Sequence, residues 1–391
     1  MGVFDHQVGF AVESTWGTAV TPTRFMSWRS GGGLQIAPRP VRSVAMRAGR
    51  RTRSADLSTR RLPEISGTFA FDVETKGAGL LFRAIFGTVG TSGPVLGKYT
   101  HTFTLGSTEL PGLTWQQGIG RPGAVSTIPF TAIGTKVASA TIAGSVGENV
   151  GVSVSLDARE AFQFRTFTGT TSVSSPTVTA ITSTLGLMPR MPITGTGIPA
   201  ATTILSVDSA TQITLSANAT AAGSPTLTAG IALATATYPT APNEAFLVDN
   251  IGVTLGGVTL CASSFEVSIN HGIKTDREKM CAGGLKDEQI RASFGEYKLS
   301  LSGVEYVADV NMDRMLAITA ATAQAQAIIT CSGQADPANK LIFTIPVAEM
   351  IGDFPTIGDM LVETDLKFDI LSPTAGGSEI TAAYTTLDVT P

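Results

Sequence analysis

Apolar and polar residues alternate at every second position through most of this chain. From Ile65 to Val73, residues Ile65, Gly67, Phe69, Phe71 and Val73 fall on one side. Ser66, Thr68, Ala70 and Asp72 fall on the other. A period of two is that of a strand with one buried face. Similar runs occur at Tyr99 to Leu105, Lys136 to Ser145, Val150 to Leu156, Ile251 to Leu255 and Ser264 to Asn270. Further runs lie at Tyr297 to Val304, Ala325 to Ser332, Leu341 to Val347 and Val362 to Leu371. Gly, Pro, Asn and Asp separate them, which predicts a mainly β, mostly antiparallel protein. Phe69 and Phe71 are expected to face an apolar surface in a central sheet.

Two segments carry a helical spacing instead. Gly79 to Phe86 puts Leu81, Ala84 and Ile85 on one side and is closed by Gly87. A second helix is expected from Asp309 to Ala321, with Met312, Met315 and Leu316 as its apolar stripe. The strand, helix, strands order thus appears twice.

Two stretches break the alternation. Between Thr166 and Thr237 only Arg190 and Asp208 are charged, and Thr, Ser, Ala and Gly dominate. Short β-like runs at Thr177 to Thr182, Thr202 to Val207 and Gln212 to Leu215 mark it as a small β-module inserted into a loop. The expected organisation is residues 1–165 and 238–391 as two parts of one domain, with 166–237 inserted. The other stretch, Gly31 to Pro63, opens with three glycines and is rich in Arg, which predicts a long irregular loop.

Charge sharpens this picture. Charged residues make up 15% of the chain, against about 25% in ordinary globular proteins, so much of the surface is expected to be covered by partners. The formal net charge of −4 argues against electrostatic nucleic-acid binding by the whole chain. The distribution is uneven. Arg39, Arg42, Arg47, Arg50, Arg51, Arg53, Arg60 and Arg61 crowd one segment against the single acid Asp56. Beyond Ser300 acids prevail, among them Glu305, Asp309, Asp313, Asp353, Asp359, Glu363, Asp365 and Asp369. No aromatic residue lies between Arg39 and Arg61, so a base-stacking platform is disfavoured. The preferred reading is a contact arm that docks on an acidic neighbour.

Catalytic signatures are lacking. His6, His101 and His271 are scattered, and no H-E-x-x-H, C-x-x-C or G-x-S-x-G occurs. Asp309 and Asp313 stand one helical turn apart near Glu305, but no Gly-turned loop of ligands accompanies them, so a solvated or interface-facing acidic surface is preferred to a cation site. Neither cofactor nor metal is expected, nor is an enzyme. Cys261, Cys281 and Cys331, odd in number, read as reduced thiols of a protein made in a cytoplasm. Neither a secretion signal nor an apolar stretch long enough to span a bilayer is recognised.

The chain resembles the tail tube proteins of siphophages, especially those of actinobacterial phages. The resemblance rests on the opening Val12 to Phe25, the strand-helix unit Ser66 to Gly87 with Glu74 to Leu81, and the segments Tyr99 to Phe103 and Leu113 to Gly120. Ser268 to Asn270, Lys274 to Arg277, Gly283-Gly284, Asp353 to Asp359 and Ser372 to Thr374 extend it. It implies an antiparallel β-sandwich or half-barrel with one or two short flanking helices. It also implies hexameric rings stacked into a tube that conducts double-stranded DNA, in a virion, with tape measure, tail terminator and tail tip proteins as partners. A lumen lined by carboxylates would repel DNA phosphates. A tail fibre or adhesin, or another head or tail structural protein, is the alternative.

Overall fold

The computed structural model describes residues 6–29, 31–45, 51–106, 109–120, 127–279, 285–305, 323–351 and 363–391. Among these, 18 strands from residues 7–163 and 251–386 join into one antiparallel system. One run of ladders passes through Gly33–Arg42, Ser58–Asp72, Gly151–Ala158, Ile128–Ser145, Ser264–Asn270, Glu296–Glu305 and Glu363–Ile370. A second passes through Val258–Leu260, Ile251–Leu255, Gln324–Ser332, Lys340–Met350, Thr381–Thr386, Lys98–Leu105 and Gly87–Val95. The runs meet where Ala348 and Met350 pair with Ile370 and Phe368. One buried cluster takes side chains from both, so the architecture is a β-sandwich rather than a closed barrel.

Phe69 and Phe71 are fully buried, and both rings lie against Trp115, which stacks on Phe10 at 4.8 Å. Helix Gly79–Phe86 forms as its spacing predicts, and Gly87 ends it at φ 97°, a left-handed conformation that a Cβ disfavours. Its Phe82 ring sits 5.8 Å from Phe103 and 5.9 Å from Tyr384. The second expected helix, Asp309 to Ala321, lies outside the described residues.

The longest strand, Ile128–Ser145, serves two sheets. Its first part pairs with Leu113–Ile119 and Glu160–Gln163, its second with Gly151–Ala158 and Ser264–Asn270. The change occurs at Gly134, at φ 59°. A Cβ there would stand 2.9 Å from the Arg159 side chain. The buried Glu13 carboxylate accepts the Gly134 amide at 2.9 Å and the Thr114 hydroxyl at 3.0 Å, which pins the bend.

Two expectations change. The segment 31–63, expected as an irregular loop, is largely a β-hairpin, with pairs from Gly33↔Thr68 to Arg42↔Ser58. Its outer strands bury neither face, so they show no hydrophobic period, although the backbone pairs along both strands with one register shift between Ala37 and Arg39. Gln7–Val12, absent from the expected strands, is buried on both faces and therefore does not alternate either.

Residues 165–229 form two three-stranded sheets of their own, Arg165–Thr168 with Thr226–Ala229 and Ile193–Gly195, and Thr177–Val178 with Gln212–Leu215 and Ile204–Ser209. None of these strands pairs with the large system. A second buried cluster, including Val178, Ile193, Ile204, Ile213 and Leu227, fills this part and reaches Ile133 and Phe162 of the main sheets.

Candidate assembly surface

The hairpin of Gly33–Arg42 and Ser58–Asp72 is anchored in the large sheet at its Asp72 end. Ile65 is its outermost residue to pair with Gly151–Ala158, opposite Ala158, and it is buried. Beyond it lie the seven residues Ser58 to Glu64, of which Ser58 to Arg61 and Glu64 pair, among the described residues, only with the other strand of the hairpin, with a register shift at Leu62 and Pro63. At about 3.3 Å per residue this arm projects about 23 Å.

Arg39 and Arg61 stand directly opposite each other on the arm. Like charges in that relation repel. The Glu278 carboxylate lies between them, one oxygen on each guanidinium, and its side chain is only 17% exposed. Glu278 belongs to a strap whose described parts, residues 273–279 and 285–291, pair at Ile273↔Arg291 and Lys274↔Ile290. The strap is fastened to the sandwich by a buried polar cluster. Lys286 Nζ donates to Asp157 at 2.7 Å, Gln289 Nε2 donates to the same carboxylate at 2.8 Å, and the fully buried Lys136 donates to the Gln289 carbonyl at 2.7 Å. Burial pushes the Asp157 carboxyl up, and the Lys286 hydrogen bond opposes that push. The arm is therefore braced against the body through Glu278.

The tip is basic. Arg42, Arg51 and Arg53 line a cleft of about 780 Å³ together with Ser54 and Ser58. Arg60 is exposed nearby, and Val41 and Val44 are 47% and 81% exposed. Arg47 and Arg50 lie outside the described residues. At its root the arm meets the module, where Leu62 and Pro63 share a small pocket with Met188 and Arg190, and Arg190 pairs with Glu160 at 2.7 Å.

The predicted acids are not gathered in the same way. Glu305 and Glu363 are opposite each other in register. Asp365 is exposed and accepts the Gly303 amide at 3.3 Å, and Asp369 stands across from Lys298. Asp309, Asp313, Asp353 and Asp359 lie outside the described residues. The acid that engages the arm, Glu278, was not among those singled out from the sequence. It is embedded among Lys274, Arg277 and Lys279, and nothing local ties it to an arginine 239 positions away.

The histidines have packing roles. His101 bonds Thr91 at 2.8 Å and the Asp388 carbonyl at 3.0 Å. Burial, with the Arg291 charge, pushes His271 down to about 4. Among the described residues no group of three His, Cys, Asp or Glu is placed to hold a metal, and no helix is long and apolar enough to cross a membrane.

An open antiparallel sandwich with a braced, projecting basic arm is the construction of a structural assembly protein. Residues 4–188 match the family described as phage tail tube protein, so this part of the chain is similar to the phage tail tube proteins. The matched stretch contains the arm, the helix and the long bent strand, and it ends inside the module. No curated protein matches the chain. The match supports a structural protein of the phage tail.

Proposed function

We propose that copies of this chain associate into rings of six, that the rings stack into the tube of a siphophage tail, and that the tube conducts double-stranded DNA from capsid to host cell. The observation that carries this reading is the match of residues 4–188 to the tail tube family together with unpaired sheet edges. Gly33–Arg42, Gly87–Val95 and Val258–Leu260 each have a strand partner on one side only among the described residues. Such edges are a liability in a free subunit and are satisfied by pairing with another copy. The tape measure, tail terminator and tail tip proteins are the partners along and at the ends of such a tube. Asp365 and Asp369, on the strand Glu363–Ile370, fit a lumen or partner surface that repels phosphate. Residues 1–165 and 238–391 form the tube domain in this reading, and 166–237 an inserted module outside the wall.

Negative-stain electron microscopy of the purified protein tests the proposal. Hollow tubes with a regular axial repeat and six-fold end views are expected. Monomers at all concentrations, or closed shells, would overturn it.

A further inference from the structure

The arm is one half of a fit whose other half lies at the opposite pole of the same sheet. The strand Ser58–Asp72 has 15 residues, about 46 Å at strand rise. The arm tip is at its Ser58 end. At its other end Asp72 pairs with Gly151, just after the turn that carries Val146 and Glu148. There Val146, Ile251, Leu260, Cys261 and Phe265 line a groove of about 400 Å³. The groove has an open edge, since among the described residues Val258–Leu260 pairs only with Ile251–Leu255. Val146 and Val258 are 61% and 39% exposed. The exposed carboxylate of Asp249 lines the groove, and the exposed Glu148 stands on the adjoining turn, two residues from Val146. Asp249 is held in place by the Gly147 amide at 2.8 Å, and the Val248 amide binds the Glu148 carbonyl at 3.0 Å.

We propose that the arm tip of one copy seats in this groove of a second copy, with Val41 and Val44 on the apolar floor and Arg42, Arg51 and Arg53 around Glu148 and Asp249. The inference rests on the stacking assembly proposed above and names the surface that receives the arm. Complementarity supports it on both counts, since the tip combines exposed valines with arginines and the groove combines an apolar floor with acids. The separation along one strand keeps a tip from reaching the groove of its own chain, so the occupant is a second copy. A contact between two different surfaces at opposite poles is heterologous, and where its rotation does not close a ring it propagates from copy to copy, as a stack of rings requires. Single exposed ion pairs contribute little, and repetition around each ring would make the contact effective.

Charge reversal and thiol cross-linking test it together. Arm reversal (Arg42, Arg51 and Arg53→Glu) and groove reversal (Glu148 and Asp249→Arg) should each abolish sedimentable assembly, and a chain carrying both should recover it. In a Cys281→Ser background, Val44→Cys should be joined to Cys261 of another copy by a short bis-maleimide, giving a ladder of covalent oligomers that Cys261→Ser removes. If groove reversal assembles normally while arm reversal does not, the arm docks elsewhere and the groove assignment is wrong, although the assembly reading stands. Assembled particles without a Cys261-dependent ladder overturn the groove assignment in the same way, even if Asp249→Arg disturbs the local fold. If the unaltered protein never sediments, the assembly reading fails and this inference with it.

Discussion

Arg39 and Arg61 face each other across the arm and share one carboxylate, that of Glu278. Two like charges in register would weaken the ladder at that point. A single, largely buried acid on the strap converts the repulsion into a brace, and it makes the direction of the arm depend on a segment more than 200 residues distant in sequence.

Removing the brace should loosen the arm without unfolding the body. In Glu278→Ala the opposed arginines lose their shared acceptor, and a like cross-strand pair costs about 0.2–1 kcal/mol. Trypsin should cut between Arg39 and Arg61 several-fold faster than in the unaltered chain, while the melting temperature moves by only a few degrees. Unchanged cleavage would mean that the ladder alone fixes the arm.

Phe71→Asp should prevent folding. Phe71 has no exposed surface and its ring packs beside Trp115 at 6.1 Å. An unpaired carboxylate there costs several kcal/mol, a large part of a domain's stability. Circular dichroism and the soluble fraction on expression report the loss. A soluble, β-rich variant would contradict the placement of this strand.

The module should be removable, and the place of the cut should matter. Arg165 and Ala229 are ladder partners, so a short Gly/Ser link can join them, with Ile133 and Phe162 changed to Thr because the module covers both. The larger deletion from Arg165 to Tyr238 also removes Ala232 and Ala234. These bond the buried Gln116 side chain at 2.9 and 2.8 Å. The shorter deletion should fold and assemble. The longer one should be less stable by about 1–3 kcal/mol, the cost of an unsatisfied buried amide, as read from urea midpoints. Equal midpoints would show that water replaces both bonds.

Stability should fall between pH 6.5 and pH 4 through His271. Its folded value is depressed to about 4 from 6.5, so the unfolded chain binds the proton first. The stabilisation is fully present above pH 6.5 and is lost as pH falls through that window. The depression corresponds to about 3 kcal/mol. Burial raises Glu13 and Asp157. These two act in the opposite sense, adding stability as pH falls through their raised values towards the ordinary 4.5 and 3.8. Urea midpoints from pH 7.5 to 5 should therefore decline in the unaltered protein and flatten in His271→Leu. An equal slope in both would place the proton elsewhere.

The alternating strands, the helix Gly79–Phe86 with its closing Gly87, and the composition break at the module were legible in the residues, because each buries one face and leaves a period or a composition behind. Strands that bury both faces, such as Gln7–Val12, or neither, such as Gly33–Arg42, leave no period, and the sequence was silent on them. The arginine cluster was also legible as a charge run. Its conformation was not, since a ladder is made by backbone groups that every residue carries. Only the tertiary structure paired Arg39 with Arg61 and brought Glu278 to both, and only it set the basic tip and the acid-rimmed groove at opposite ends of one strand. Those are relations between positions far apart along the chain. The sheet topology fixes them, and local residue preferences do not encode them.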